Sequence, residues 1–449
     1  MDRPASRTLR FPCLPGRRLL AAACFLALFA SALIVPASAA DRPDWNEWRG
    51  PDRNGIDTGA RTWPASLDGL KQVWRVELGK GYPGPLVGDG KVFVVESLAD
   101  ESAQVRALDR ETGKELWTKS WESSGEVPFF AAKSGDWVRS TPAWDGETLY
   151  VGDMREVLVA LDGDTGEVRW RVDIPKRFDT PVPEFGFASS PLVDGGAVYV
   201  QAATSLLKLD AATGDTLWRT LAGDISIMNS GAFSSPVIAV LGGVRQVVTQ
   251  TREALHGVDP ADGSVLWSQP VPNFRGMNIL TPTVVGGGVF TSSYRNRSYF
   301  YRVTRGPEGT FSVEEAWTNK AHANMSSPVV IGDHVYLHLS NKRLDAIRLS
   351  DGESAWRTGA FGEYWSMVAR GDRFLALDSD GELLLVEADP EAFRLLDRKE
   401  VAASPTWGYL AVSGDLLFVR ELEAVAAYRL AEVSEGGTES REAGEHSAR

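Results

Sequence analysis

The 449-residue chain has only two cysteines, Cys13 and Cys24, both near its start. Beyond residue 24 there is no thiol to form a disulfide, bind a metal or act as a nucleophile, so the rest of the chain must be held by its core alone. Positive charge is also short, with 47 Lys and Arg against 60 Asp and Glu, a formal charge of −13. Such a chain has no cationic surplus to displace counterions, so neither nucleic acid nor an anionic lipid surface is an expected partner. No segment after residue 35 is long and apolar enough to span a bilayer as a helix. There is no Gly-x-Ser-x-Gly elbow and no Walker-type phosphate loop. Histidine is scarce, and only His334 and His338 are spaced like zinc ligands of a helix. They lie in an alternating strand pattern, where four residues put them about 13 Å apart, too far to share one ion. No metal site and no catalytic residue is therefore assigned. Asp162-Gly-Asp164 and Asp378-Ser-Asp380-Gly-Glu382 look like calcium loops but lack the ligand set and fall at turns.

What is present begins with a distinct leader. Five arginines among the first eighteen residues precede the apolar run Leu19–Val35 and the small-residue stretch Pro36-Ala-Ser-Ala-Ala40. A charged head, an apolar middle and an A-x-A end predict a signal peptide over residues 1–40, cleaved near Ala39 or Ala40, and a periplasmic or secreted protein. An uncleaved anchor is the alternative. Lipidation at Cys24 is not expected, because that residue sits inside the apolar run. Loss of five arginines and one aspartate with the leader takes the formal charge from −13 to −17.

The rest of the chain repeats itself. Asp89-Gly-Lys-Val-Phe-Val, Val105-Arg-Ala-Leu-Asp109 and Glu111-Thr-Gly-Lys-Glu-Leu-Trp117 return as Asp145-Gly-Glu-Thr-Leu-Tyr-Val, Val159-Ala-Leu-Asp162 and Asp164-Thr-Gly-Glu-Val-Arg-Trp170. Further copies end at Trp218, Trp267, Trp317 and Trp356; the fifth is irregular, the seventh has lost its tryptophan, and the eighth stops after three strands. Alternating apolar and β-branched runs predict half-buried strands, and Asp-Gly and Thr-Gly pairs supply the positive φ of tight turns. Each copy holds about four strands in some forty to fifty residues and cannot bury both faces alone. The expected fold is all-β, an eight-bladed β-propeller of four-stranded antiparallel blades over residues 71–431, or seven-bladed if the fifth copy is not a blade. An open stack or a pair of sandwiches is the alternative. The orphan strand Gln72–Leu78, whose Trp74 matches the repeat tryptophan, is expected to complete the last blade and remove the exposed edges. Trp74, Trp117, Trp170, Trp218, Trp267, Trp317 and Trp356 are expected to dock blade on blade. Residues 41–70 read as an irregular lead-in strapped over a blade, and 432–449 as a disordered polar tail.

Ala-Leu-Asp-x-x-Thr-Gly-x-x-x-Trp resembles the repeat of pyrroloquinoline-quinone (PQQ)-like propellers, a group holding quinoprotein dehydrogenases and the outer-membrane assembly factor BamB. Trp45-Asn-Glu-Trp-Arg-Gly-Pro-Asp-Arg-Asn-Gly55 is similar to the opening of exported members without an assigned activity, and Gly381–Phe393 to their penultimate blade. The resemblance covers about residues 45–431. It implies the fold, but a propeller hosts many unrelated tasks. Quinoprotein alcohol dehydrogenases clamp the cofactor between a tryptophan and a disulfide of adjacent cysteines, with calcium held nearby. Without cysteines after residue 24 that clamp cannot form, so no cofactor is expected, with PQQ and calcium as the alternative.

The segments leading into the inner strands end alike, at Ser140-Thr-Pro, Ser189-Ser-Pro, Ser234-Ser-Pro, Thr281-Pro and Ser326-Ser-Pro. Proline is tolerated there because no ladder donor is needed. Just upstream lie Trp137, Arg139, Phe187, Phe233, Arg275, Asn278, His322, Asn324, Trp365 and Trp407, which form the candidate site at one mouth of the channel. Phe129, Phe130, Phe185, Met277, Met325, Tyr364, Tyr409 and Asn229 belong to the same segments. These rings either plug the channel or bind, since aromatic, Arg and Asn groups compose hot spots. The expected function is a monomeric, exported, non-catalytic scaffold holding an envelope protein or peptide segment, or a small ligand, at that mouth. A quinone-dependent or other periplasmic oxidoreductase and a carbohydrate- or small-ligand-binding propeller compete with it.

Overall fold

The computed structural model describes residues 45–431, apart from 60, 61, 126, 130, 131, 133, 134 and 224–230. The leader, the tail, Phe130 and Asn229 lie outside the described residues. Thirty-two strands form eight separate four-stranded antiparallel sheets, the blades of an eight-bladed propeller. Blade 1 runs outward from Leu86–Gly88 through Lys91–Ser97 and Ser102–Asp109 to Glu115–Glu122. Its second strand is almost wholly buried, whereas its outermost strand is mostly open to solvent, with Trp117 turned inward. Middle strands lie between two neighbouring blades, so they read as continuous apolar runs and not as alternations. Blades 2 to 7 occupy residues 143–173, 192–220, 237–270, 283–319, 329–360 and 365–400. The irregular fifth copy is a complete blade with a longer outer hairpin, so the count is eight.

Blade 8 takes three strands from residues 411–429 and its outermost from Lys71–Glu77. That strand pairs antiparallel with Ala424–Arg429, with Trp74 opposite Ala427 and a bulge between Gln72 and Trp74. The ring therefore closes on the strand expected to close it.

The repeat tryptophans bind each blade to the next. The indole N–H of Trp117 donates to the carbonyl of Gly163, Trp170 to Ala211, Trp317 to Leu349 and Trp356 to Asp389, at 2.8–2.9 Å. Trp74 of blade 8 does the same to Arg110 of blade 1, at 2.9 Å. The acceptors belong to the outer turn of the following blade, and where that turn carries a Thr-Gly or Asp-Gly pair its glycine lies against the ring. Gly166 has φ +71°, and a Cβ there would fall 2.5 Å from Trp117, so the position demands glycine twice over. Trp267 is the exception: its N–H donates to Gln246 Oε1 of its own blade at 2.6 Å.

The lead-in departs from the expected strap over one blade: it crosses the channel. Trp45 pairs with Val87 of blade 1, Asn46 donates to the Trp144 carbonyl of blade 2, and Glu47 accepts from Val193 N–H of blade 3. Arg53 donates to the Ser190 and Pro191 carbonyls of blade 3, while Arg49 donates to the Pro328 carbonyl of blade 6. Ile56 then bridges to Ala369 of blade 7 in parallel, and Asp57 pairs with Arg370. From there the chain runs outward along blade 7, where Arg373 donates to the Trp63 carbonyl and Lys399 to that of Leu70. Among the described residues no helix is long and apolar enough to cross a membrane.

Candidate functional site

The Ser-Ser-Pro corners make a belt around the channel. Gly84 N–H donates to Thr141 Oγ1, Thr141 N–H to Ser190 Oγ, Ser190 N–H to Ser235 Oγ and Ser235 N–H to Thr281 Oγ1, all at 2.9–3.1 Å. The second hydroxyl of each corner thus satisfies a buried backbone donor of the preceding blade, a second reason for the motif beside its proline.

Inside the belt lies a cavity of about 230 Å³ to which all eight blades contribute. Tyr82, Arg139, Phe185, Phe233, Met277, Met325, Tyr364 and Trp407 come, in that order, from the segments entering blades 1 to 8. Trp48 of the lead-in also lines it, packing edge-on against Tyr409 with ring centroids 5.0 Å apart. Trp407 stacks on Tyr82 at 4.6 Å and takes the edge of Tyr364 at 4.5 Å. Phe185 meets Phe233 edge-on at 5.7 Å. Tyr409 bridges from blade 8 to blade 6, its hydroxyl accepting from Ser327 N–H at 2.8 Å and donating to the Met325 carbonyl at 3.3 Å. The wall is therefore a set of interlocked rings in the preferred edge-on and stacked arrangements.

Among the described residues Arg139 is the one charged group in that wall. Its guanidinium lies 5.6 Å from the Tyr82 ring and donates to the Gly135 carbonyl at 2.5 Å, while its buried Nε has no partner among the described residues. Burial lowers its pKa from the usual arginine value, an effect that Tyr82 and Asp136 only partly offset.

Of the ten residues singled out from sequence, four line this cavity: Arg139, Phe233, Trp365 and Trp407. Trp365 is only 2% exposed and stacks on His338 at 4.9 Å, so most of its ring belongs to the packing of blade 6 on blade 7. Burial pushes His338 down to about 4, which keeps it neutral. Trp137 sits behind the wall, against Tyr82 and Lys80. Phe187 is not at the mouth: it is 1% exposed in the core of blades 2 and 3, against Gly152. Asn278 is also buried and braces two loops, donating to the Arg252 carbonyl and accepting from Ser293 Oγ. His322 pairs with Ser340 Oγ at 2.9 Å, and Asn324 is hydrogen-bonded to Tyr364. Arg275 is exposed and points over Phe274 on the rim. Tyr82 and Trp48 escaped the sequence reading. Tyr82 carried a signal, since Gly84-Pro85 stands where later copies have Thr-Pro or Ser-Pro; Trp48 carried none.

The two calcium-loop look-alikes are turn braces. Asp162 Oδ1 accepts from the N–H of Asp164 and of Thr165, and Asp378 Oδ1 from the N–H of Asp380 and of Glu382.

Comparison with known proteins agrees with the architecture. The chain is 26% identical over 316 residues to the outer membrane protein assembly factor BamB of Yersinia pestis, covering 66% of this chain and 75% of that protein. It is 34% identical over 170 residues to the serine/threonine-protein kinase AfsK of Streptomyces griseus, but spans only 18% of that protein's length. The crystal structure of BamB from Moraxella catarrhalis superposes with a TM-score of 0.58 at 17% identity, over 80% of this chain and 99% of that one. The quinohemoprotein alcohol dehydrogenase of Comamonas testosteroni gives 0.61 at 15%, over 89% and 83%. At such identities the superpositions speak for the fold alone. The family described as outer membrane protein assembly factor BamB matches residues 57–128 and 101–358, more than half of the chain, which therefore belongs to that family of PQQ-like propellers.

Proposed function

We propose that this protein is a non-catalytic docking propeller of the bacterial cell envelope, holding a segment of another envelope protein at its channel mouth. The observation that carries the reading is the cavity to which all eight blades contribute, seven of them with a large ring or methionine and one with Arg139. Concave apolar walls with one cation suit anchoring side chains of a partner. Relatives bearing the name of an outer membrane protein assembly factor support a partner of that class, and the charged, then apolar, leader supports export.

The residues do not fit PQQ with calcium. Among the described residues no carboxylate lines the cavity and no group of three or more potential metal ligands occurs, and both cysteines stand in the leader sequence. Among the described residues no histidine or lysine lines the wall either, so none of them offers its serines a general base.

A photo-crosslinking residue in place of Met325, which is 39% exposed at the mouth, tests the reading in the native host. The expected result is an adduct with an outer-membrane assembly protein, absent when the same group replaces Glu147 at the opposite end. Identical adducts from both positions would overturn it.

A further inference from the structure

Beside the mouth, on the loops of blades 4 and 5, arginines lie on aromatic rings. Arg252 has its guanidinium 5.2 Å from the Phe233 ring of the cavity wall, and its Nη2 donates to the Arg275 carbonyl at 3.2 Å. Arg275 lies 5.1 Å from Phe274, and Arg295 lies 5.5 Å from Phe274 and 5.3 Å from Tyr294. The two rings are 6.5 Å apart. These six residues form one continuous strip leading out of the cavity.

Three features make the strip unusual. Arg275, Arg295 and the neighbouring Arg297 form no ion pair with any described residue, in a chain of formal charge −13. Glu253, in the hairpin turn that bears Arg252, is exposed and forms no ion pair with Arg275, Arg295 or Arg297. Finally, Arg275 and Arg295 both have φ +54°, a backbone region that favours glycine or asparagine and costs other residues about 1 kcal/mol. Stacking on a ring holds a guanidinium flat while leaving its N–H edge free to donate.

We infer that this strip binds an acidic peptide segment whose apolar side chains enter the channel mouth. This rests on the reading of the mouth as a docking site and names the chemistry of its partner. The ring-held, unpaired guanidiniums of Arg275 and Arg295 beside a ring-walled cavity match carboxylates alternating with apolar side chains. An extended anionic surface, such as a bilayer or a nucleic acid, would also meet the acidic remainder of the chain and be repelled. A short peptide touches the strip alone.

The test uses the full chain and a short fluorescein-labelled peptide alternating glutamate with phenylalanine and leucine, followed by anisotropy. Arg275→Asn and Arg295→Asn suit the left-handed backbone, so the double variant should keep its melting temperature. Its affinity should fall at least about tenfold, as expected for loss of charge-assisted hydrogen bonds. Wild-type affinity should weaken with salt, and a lysine-for-glutamate peptide should not bind. Equal binding by wild type and the double variant, no saturable binding, or arginine-dependent binding to phosphatidylglycerol vesicles but not to peptide would each overturn the inference. Trp407→Ala separates the two readings. Binding lost with Trp407→Ala but kept in the arginine variant leaves the mouth standing and removes the strip; binding kept in both removes both.

Discussion

Replacing Trp74 tests how the ring is closed. Its indole is 7% exposed, lies against Gly113 of blade 1 and against Phe418, and donates to the Arg110 carbonyl at 2.9 Å. A buried tryptophan removes about 150–250 Å² from water, roughly 4–6 kcal/mol at ~25 cal/mol per Å². Alanine keeps a little of that area, and the lost hydrogen bond adds about 1 kcal/mol. Trp74→Ala should therefore cost about 3–5 kcal/mol. Trp74→Phe keeps a ring under Gly113 and loses the N–H, so it should cost about 1–2 kcal/mol. Urea denaturation followed by far-ultraviolet circular dichroism reads both. Trp267→Phe is the control, because its N–H stays within its own blade. A loss below about 1 kcal/mol for Trp74→Ala would mean that closure does not depend on this docking, and the account of the N-terminal strand would fall.

Three other outcomes are expected. Glu156 is buried, and burial pushes its carboxyl up to about 8 although Ala203 N–H donates to it at 3.0 Å; the native state keeps a proton that the unfolded chain releases above the ordinary value of 4.5. The contribution of Glu156 to stability should then be greatest below about pH 4.5 and decline towards about pH 8, by at most ~1.4 kcal/mol per pH unit, and Glu156→Gln should remove that contribution in a denaturation series; parallel curves would refute it. Arg53 and Glu47 form a buried ion pair at 3.1 Å in the channel, so Arg53→Met should cost about 3–5 kcal/mol by stranding the carboxylate, and adding Glu47→Gln should recover part of it; a double variant no more stable than the single would refute the pairing. Trp365→Ala should lower stability by about 3–5 kcal/mol as a core residue, whereas Trp407→Ala should cost under about 2 kcal/mol and mainly weaken partner capture; equal melting losses would return both rings to the core.

The blades were legible because one unit recurs, and each recurrence carries its own turn residues and docking tryptophan. The mouth was legible only in part. Phe185 and Phe187 are two residues apart in one segment, yet one lines the cavity and the other enters the core beneath Gly152, and the sequence carries no sign of which. Asn278 and His322 have the composition of a binding surface but spend their polar atoms on neighbouring loops. The path of the lead-in was not legible, because it is fixed by Arg49, Arg53 and Glu47 reaching backbone groups far away in sequence. No local pattern encodes such contacts.

Closure by Lys71–Glu77 also sets the order in which the molecule can form. Trp74 and its partner Ala427 are separated by about 350 residues, so at some 5–20 residues per second the earliest strand waits roughly 20–70 s for the last to be made. During that interval Trp45, Trp48, Trp63 and Trp74 have none of their late partners, and Lys71–Glu77 has no strand to pair with. Folding cannot finish from the N-terminus onward; it ends where it began, with a contact of very high sequence separation and a correspondingly slow final step. The chain is thus most open to aggregation, or to a holding chaperone, just before its own beginning is recaptured.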